Sequence, residues 1–315
     1  MGACYTFCYI LYYTIYYTNH DKFYNTKFLR INMKATELYA KLEKDFIKPG
    51  LSDEWAEHME EVKDFLSDNF VKRSMGLVCD NSQQINRVYT AVFPTDEVMK
   101  YILSQKIEDA MLFVHHPSIW DITKAPQVFQ QMNRDLLKKF KARRISVYNL
   151  HVPLDNYGEY STSSTLANSL GIKPRKPFAQ YFGALCGVFG KTKLRTTADL
   201  SRKFEEAVGH KVSLYQYGSP SIKDRVVAVI AGGGNDIEML QEIAKEGVNT
   251  FVTGITALNS HSQKAHDFAK EHKINVLGGT HYSTERFACQ AMCNYFRKFG
   301  LECEFIKGKP GLEDL

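Results

Sequence analysis

Apolar residues follow two spacings along the chain after residue 33. Up to about residue 69 they recur every three or four positions, as at Leu38, Leu42 and Phe46, which is typical of helices. Short apolar runs typical of buried strands follow at 87–93, 110–114, 145–150, 226–230, 250–253 and 274–277. Helical patterns lie near 95–105, 126–142, 162–170, 198–208, 236–246, 261–272 and 284–299. This alternation predicts an α/β fold with mixed, largely parallel sheets.

The same pattern divides the chain into an extension and two interlinked α/β lobes. We expect residues 1–32 to be an atypical N-terminal extension, 33–170 to form the first lobe and 171–315 the second. The stretch 171–181 contains Pro174 and Pro177 and is predicted to link the lobes. It stays open whether the C-terminal end packs back on the first lobe.

The N-terminal extension differs in composition from the rest of the chain. Residues 4–17 carry no charge and include seven aromatic residues, six of them tyrosines. A membrane-spanning helix needs about 20 apolar residues, so this stretch is too short and too rich in tyrosine. We favour an upstream segment, with the functional chain starting near Met33. A hydrophobic anchor, or lipidation at Gly2, are the alternatives.

Composition and charge narrow the classes of function. With 44% hydrophobic and 24% charged residues, the 315-residue chain is typical of globular proteins. Its net charge of +5 (40 basic against 35 acidic residues) forms no basic stripe, which argues against a nucleic-acid partner. The seven cysteines show no CxxC spacing, so a thioredoxin-like motif and a cysteine zinc site are unsupported. A reducing, cytoplasmic setting is favoured.

Histidines and carboxylates follow three of the predicted strands. His115 and His116 follow the run at 110–114, and His151 follows the run at 145–150 with Asp155 four residues later. The third run, at 274–277, leads into His281 and Glu285, which share one face of a predicted helix. Ligands of open α/β sheets bind beyond the carboxyl ends of strands, so these side chains are expected to meet.

This set of side chains suits divalent transition metals. A single histidine at a strand end is commonly only hydrogen-bonded, but the joint occurrence at three strand ends favours a metal site. Imidazole with carboxylate suits zinc, iron, manganese, cobalt or nickel, whereas calcium prefers oxygen ligands alone. Four or five such ligands exceed the need of one catalytic ion, and two ions about 3.5–4 Å apart would use them all.

The segments HHPSIWD, YNLHVPLDN and GGTHYSTE resemble the three signature segments of the Nif-three-like dinuclear-metal family. Its members are also called GTP cyclohydrolase one type two homologues. The resemblance covers the chain from about Lys34 to Phe305. It implies two-lobed α/β subunits in a toroidal homohexamer, with the metals facing the inner cavity. It also implies that two divalent cations are held by His115, His116, Asp155, His281 and Glu285.

By the same resemblance, His151 lies beside the metals, and we predict a catalytic role for it in orienting a ligand or moving a proton. The expected function is a metal-dependent hydrolase acting on an unknown small molecule, with cyclohydrolase chemistry on a purine nucleotide suggested by the family. A non-catalytic metal-binding scaffold or a regulatory partner-binding protein is the alternative. A membrane partner is not expected unless residues 1–32 act as an anchor.

Two further features bear on the substrate. Many family members have Thr-Gly-Glu where this chain reads Thr253-Gly254-Ile255, so any role of that glutamate is absent. The glycines at 232–234 lie between a predicted strand and a predicted helix, where free amides could bind an anion. We favour a tight structural turn over a phosphate cradle there.

Overall fold

The computed structural model of the protein describes residues 32–120, 129–234, 236–260 and 262–315. Apart from its last residue, Asn32, the predicted extension lies outside the described residues, as do its anchor and lipidation alternatives. Within the described ranges, no helix has both the length and the apolar composition needed to cross a membrane.

Strands and helices alternate along most of the described chain. The strands are β1 (Met33–Lys34), β2 (Gly76–Cys79), β3 (Gln84–Ile85), β4 (Arg87–Ala91), β5 (Ala110–Val114), β6 (Ile119–Trp120), β7 (Phe129–Gln130), β8 (Ile145–Asn149), β9 (Ile172–Tyr181), β10 (Ala184–Thr192), β11 (Ser213–Tyr215), β12 (Val226–Val229), β13 (Thr250–Thr253), β14 (Asn275–Gly278) and β15 (Glu302–Phe305). The helices are α1 (Ala35–Phe46), α2 (Asp68–Arg73), α3 (Asp96–Ser104), α4 (Arg134–Ala142), α5 (Val152–Asp155), α6 (Thr162–Ser169), α7 (Thr197–Val208), α8 (Ile237–Lys245), α9 (Gln263–Glu271) and α10 (His281–Arg297). Short 3-10 helices cover Trp55–His58, Glu60–Phe65, Lys223–Arg225 and Leu312–Asp314.

In the described part of the chain, a first sheet contains five strands in the order β15-β4-β5-β8-β2. The pairings β15–β4, β4–β5 and β5–β8 are parallel, and β2 runs antiparallel to β8. Every residue of β5 and β8 is buried. Burial on both faces explains why these two strands read as continuous apolar runs in the sequence.

A second sheet takes its strands from residues 172–278. Its described strands follow the order β11-β14-β13-β12-β10-β9. The central pairings β12–β13 and β13–β14 are parallel, whereas the pairings towards both edges are antiparallel. The predicted α/β fold with mixed sheets is confirmed, with most of the parallel pairing in the first sheet and at the centre of the second. The division into lobes at residue 171 stays a prediction.

The stretch predicted as a linker, 171–181, is instead almost entirely strand β9. Ile172–Tyr181 pairs antiparallel with β10 through eight residue pairs, so this stretch is a strand of the second sheet and not an irregular linker. Proline lacks the amide that a central strand must donate, but an edge strand pairs on one side only. Because β9 lies at the edge of its sheet, Pro174 and Pro177 are accommodated there.

Helix α10 connects the second sheet to the core of the first. It begins just after β14, where the Thr280 side chain accepts a hydrogen bond from the amide of Ser283 at 3.1 Å and caps the helix. Its later turns bury Met292 and Phe296 in an apolar cluster with residues of the first sheet. Phe296 meets Phe113 of β5 edge-on, with the ring centroids 5.6 Å apart. Burying such side chains stabilises the fold by about 1.5–3 kcal/mol each.

Candidate metal centre

The structure brings together the side chains that follow β5, β8 and β14. His115 and His116 directly follow β5, and His151 precedes the short helix α5, which carries Asp155. The remaining pair, one helical turn apart, comes from the start of α10. All six predicted residues are buried, and none exposes more than 9% of its residue surface: His115, His116, His151, Asp155, His281 and Glu285. The groups that follow β5 and β8 meet because these strands are parallel neighbours in the first sheet, whereas α10 brings His281 and Glu285 from the end of β14 in the second sheet. The roles of all six as ligands stay predictions.

Glu285 is the centre of this group. Its Oε1 lies 2.9 Å from His281 Nε2 and 3.5 Å from His115 Nε2, and its Oε2 lies 3.0 Å from His116 Nε2. Asp155 extends the group, with Oδ1 3.5 Å from His115 Nε2 and Oδ2 3.9 Å from His151 Nε2. Each carboxylate therefore faces more than one imidazole, which its two oxygens allow.

Hydrogen bonds from outside the group fix how these side chains point. His115 Nδ1 donates to the carbonyl of Leu150 at 2.9 Å, which leaves the Nε2 lone pair of the neutral ring facing the carboxylates. Asp155 Oδ1 accepts from the Thr162 hydroxyl at 2.6 Å. The backbone amide of His281 donates to Asp314 near the C-terminus at 2.7 Å. Contacts of this kind orient metal ligands in known sites.

Gly232 makes room for the Glu285 carboxylate. A Cβ at this position would lie 2.3 Å from Glu285 Oε1, and the residue has a φ of +73°. Both facts require glycine, since other residues rarely adopt this backbone conformation. The Gly232 amide donates to the Thr284 hydroxyl at 3.0 Å, which ties the turn to α10.

Charges inside the group oppose the effect of burial. Burial would raise the pKa of Glu285, but His281, His116 and His115 hold it well below its usual range. Burial lowers the pKa of His115, yet the charges of Asp155 and Glu285 outweigh it and raise the pKa to about 9. Burial keeps the pKa of His116 well below its ordinary value and raises that of Asp155. Without a cation, the two carboxylates therefore favour the protonated ring of His115, and its Nε2 lone pair becomes available to a cation when that proton leaves.

The residues present fit a bound metal. His115 Nε2 and His116 Nδ1 are buried and have no hydrogen-bond partner among the described residues, although buried polar atoms are normally paired. The separations of 2.9–3.5 Å among the Glu285 pairs resemble the roughly 3.3–3.6 Å between ligands of a tetrahedral ion with bonds of about 2.0–2.2 Å. The described residues could therefore hold a metal ion in two groups that share His116: His115, His116 and His151; His116, His281 and Glu285.

A cavity of about 360 Å³ opens onto this group. One wall is aromatic: Trp55 lies edge-on to His116 and His151 at centroid distances of 5.5 and 5.3 Å, and to Phe129 at 4.9 Å. Tyr181 lines it as well. A second cavity, of about 430 Å³, lies beside the ends of α1 and α10, and no described histidine lines it. Lys298 donates a hydrogen bond to the Tyr160 hydroxyl in its wall. Five of the six residues of the candidate metal group line the cavity of about 360 Å³: His116, His151, Asp155, His281 and Glu285.

Asp53 is a residue that the sequence analysis missed. Its Oδ2 accepts from His151 Nδ1 at 3.0 Å and from the amide of Val152 at 3.3 Å, and its side chain is only 2% exposed. The His151 ring is therefore turned so that Nε2 faces Asp155. Asp53 lies 98 residues before His151 and follows no strand, so nothing local in the sequence marks it.

Known proteins of similar sequence cover most of the chain. The GTP cyclohydrolase 1 type 2 homolog of Archaeoglobus fulgidus is 28% identical over 256 residues, which are 80% of this chain and 96% of that protein. The homolog from Pyrococcus horikoshii is 26% identical over 245 residues, which are 76% of this chain and 92% of that protein.

Solved structures show the same fold. Protein ybgI, of unknown function, superposes with a TM-score of 0.69 at 22% identity, covering 89% of this chain and 100% of its own. Reduced HcgD from Methanocaldococcus jannaschii gives a TM-score of 0.63 at 21% identity, with 88% and 99% covered. At these identities the likeness concerns the fold alone. A model of the Duf34/NIF3 (NGG1p interacting factor 3) family matches residues 54–310, the stretch that contains the whole histidine and carboxylate group, and the chain belongs to this family.

Proposed function

We propose that the protein is a metal-dependent hydrolase with two divalent cations, drawn from zinc, iron, manganese, cobalt or nickel. The proposed ligands are those that the family resemblance implies: His115, His116, Asp155, His281 and Glu285. One observation carries the proposal: these buried side chains converge beside a cavity, and two of their imidazole nitrogens have no hydrogen-bond partner among the described residues. When bound, such cations supply Lewis acidity and lower the pKa of water at the site.

The surrounding residues have distinct roles in this proposal. Asp53 holds the Nδ1 proton of His151, so that Nε2 can take up or release a proton above Asp155. Thr162 restricts the rotation of the Asp155 carboxylate through its hydrogen bond to Oδ1. Trp55 packs against two of the imidazoles and excludes water from one side of the group.

The reaction and the assembly are carried over from relatives. The curated relatives are called GTP cyclohydrolase 1 type 2 homologs, which supports hydrolytic opening of a purine ring as the candidate reaction. A homohexamer and a cytoplasmic location belong to the same proposal, since the family resemblance and the cysteine pattern favour them.

Metal analysis and turnover together test the proposal. We expect about two equivalents of metal per chain in protein purified without added metal, and Asp155→Asn should lose metal and hydrolysis while keeping its circular dichroism spectrum. Glu246→Gln is the matched control, because Glu246 is an exposed carboxylate that pairs with Lys176 at the far end of α8 from the cavity. Protein without metal would refute the proposal. Full metal without turnover of nucleotides, phosphoesters or cyclic amides would favour the scaffold instead.

A further inference from the structure

Without cations, the described lining of the cavity above the candidate metal group is acidic, although the chain as a whole is basic. With cations on Asp155 and Glu285, the acidic character would rest on Asp53, Glu54 and Asp236. No lysine or arginine occurs among the described residues that line it. The lining residues with a formal charge, within the described ranges, are all carboxylates: Asp53, Glu54, Asp155, Asp236 and Glu285. Proteins recognise phosphate groups mainly with arginine, lysine and free backbone amides. The side chains of this cavity therefore offer a phosphate little except the bound cations and the histidines.

Two backbone amides of the glycine turn beside the cavity, those of Gly232 and Gly234, are also engaged. The amide of Gly232 donates to the Thr284 hydroxyl and that of Gly234 donates to the Thr253 hydroxyl, both at 3.0 Å. The glycine turn is thus held by threonines within the fold. Asp236 stands at the N-terminal end of α8, where a phosphate would otherwise find the helix dipole. These contacts support the structural turn over the phosphate cradle.

The remaining walls suit a flat, weakly polar ring. Trp55 and Phe129 lie edge-on with centroids 4.9 Å apart, and His58 packs against Phe129 at 4.9 Å. Met239 and Ile230 add aliphatic surface. The volume of about 360 Å³ is near the lower end of the roughly 300–1,000 Å³ typical of small-molecule sites. Aromatic faces with nearby carboxylates favour neutral or cationic rings.

We infer that the cavity takes an uncharged or cationic nitrogen heterocycle, of the size of a nucleobase or nucleoside, in preference to a nucleoside triphosphate. This inference rests on the proposed function, because it names the substrate class of the same site. It differs from the substrate that the name of the curated relatives suggests, since a triphosphate would bring its charge towards Glu54 and Asp236.

Binding measurements on a matched series test the inference. Metal-loaded protein is titrated calorimetrically with guanosine, guanosine monophosphate and guanosine triphosphate, with excess magnesium so that the triphosphate does not strip the site. Because like charges brought together at the cavity oppose binding, we expect guanosine to bind at least about tenfold more tightly than the triphosphate. Inorganic triphosphate should compete poorly.

Charge reversal at the cavity mouth makes the test specific. Glu54→Lys and Asp236→Lys should each raise the affinity for guanosine triphosphate several-fold and leave guanosine nearly unchanged, whereas Glu246→Lys should alter neither. Equal or tighter binding of the triphosphate by the unmodified protein would overturn the inference, and so would failure of the whole series to bind. The predicted binding order without metal-dependent turnover would support the inference and refute the proposed function, so the two failures can be told apart.

Discussion

Replacing Glu285 by glutamine is the sharpest test of the metal group. The substitution keeps the shape of the side chain but removes the charge that lies within 3.5 Å of nitrogens on three histidines. Glu285 is 3% exposed, so solvent cannot replace the lost charge. The expected consequence is a large loss of metal affinity with an intact fold.

The size of the effect follows from linkage. An ion present at 100 times its Kd stabilises the folded protein by about 2.7 kcal/mol, and a 100-fold weaker site at the same ion concentration leaves only about 0.4 kcal/mol. At roughly 2–4 °C per kcal/mol for a domain of about 150–250 residues, each bound ion should raise the Tm of the unmodified protein by about 5–11 °C. In Glu285→Gln the rise from an ion that this carboxylate holds should shrink to about 1–2 °C.

Thermal unfolding with and without a chelator, followed by circular dichroism, measures both quantities. Elemental analysis of the same samples gives the metal content directly, and Glu246→Gln should behave like the unmodified protein. If Glu285→Gln kept its metal and the full rise in Tm, the carboxylate would not be a ligand, and the geometric reasoning for the centre would be refuted.

Three further predictions concern the surroundings of the group. Asp53→Ala removes the acceptor that orients His151 and should lower turnover about 10–100-fold, as measured by steady-state kinetics, with the conservative Asp53→Asn less impaired. Gly232→Ala places a methyl group against Glu285 at a φ of +73° and should destabilise the protein by at least about 1–2 kcal/mol in denaturant titrations, with loss of metal. Because the pKa of His115 is raised from 6.5 to about 9, its contribution to metal-free stability is complete below pH 6.5 and is lost as the pH rises towards 9. Metal binding must displace that proton, so the gap in Tm between metal-loaded and metal-free protein should widen over the same interval; a constant gap would contradict this account.

The strands and the helix that carry the candidate ligands could be predicted because their burial and their residue spacing appear within short stretches of sequence. Strands β5 and β8 are buried on both faces, so they appear as apolar runs, and the histidines that follow them stand out at once. Their convergence could also be anticipated, since parallel strands end at the same edge of a sheet. The helical spacing of His281 and Glu285 placed them on one face.

Other features depend on contacts between distant parts of the chain. Strand β9 is stabilised by its pairing with β10, and the local signal of two prolines pointed to a linker. The contact of Asp53 with His151 depends on how the segment before Trp55 lies across the site. The closeness of Gly232 to Glu285 likewise becomes visible only when two elements pack. No spacing rule in the sequence encodes such contacts.

Helix α10 gives the candidate centre a mechanical connection to the rest of the protein. Its first turns carry His281 and Glu285 at the end of a second-sheet strand, while its later turns are embedded among first-sheet side chains such as Phe113. A metal ion bound by His281 and Glu285 at the N-terminal end of α10 would therefore oppose separation of the two sheets. Chelation should then speed the hydrogen exchange of backbone amides in both sheets, in β5 and β13 alike, and not only of those at the ends of the strands beside the histidines.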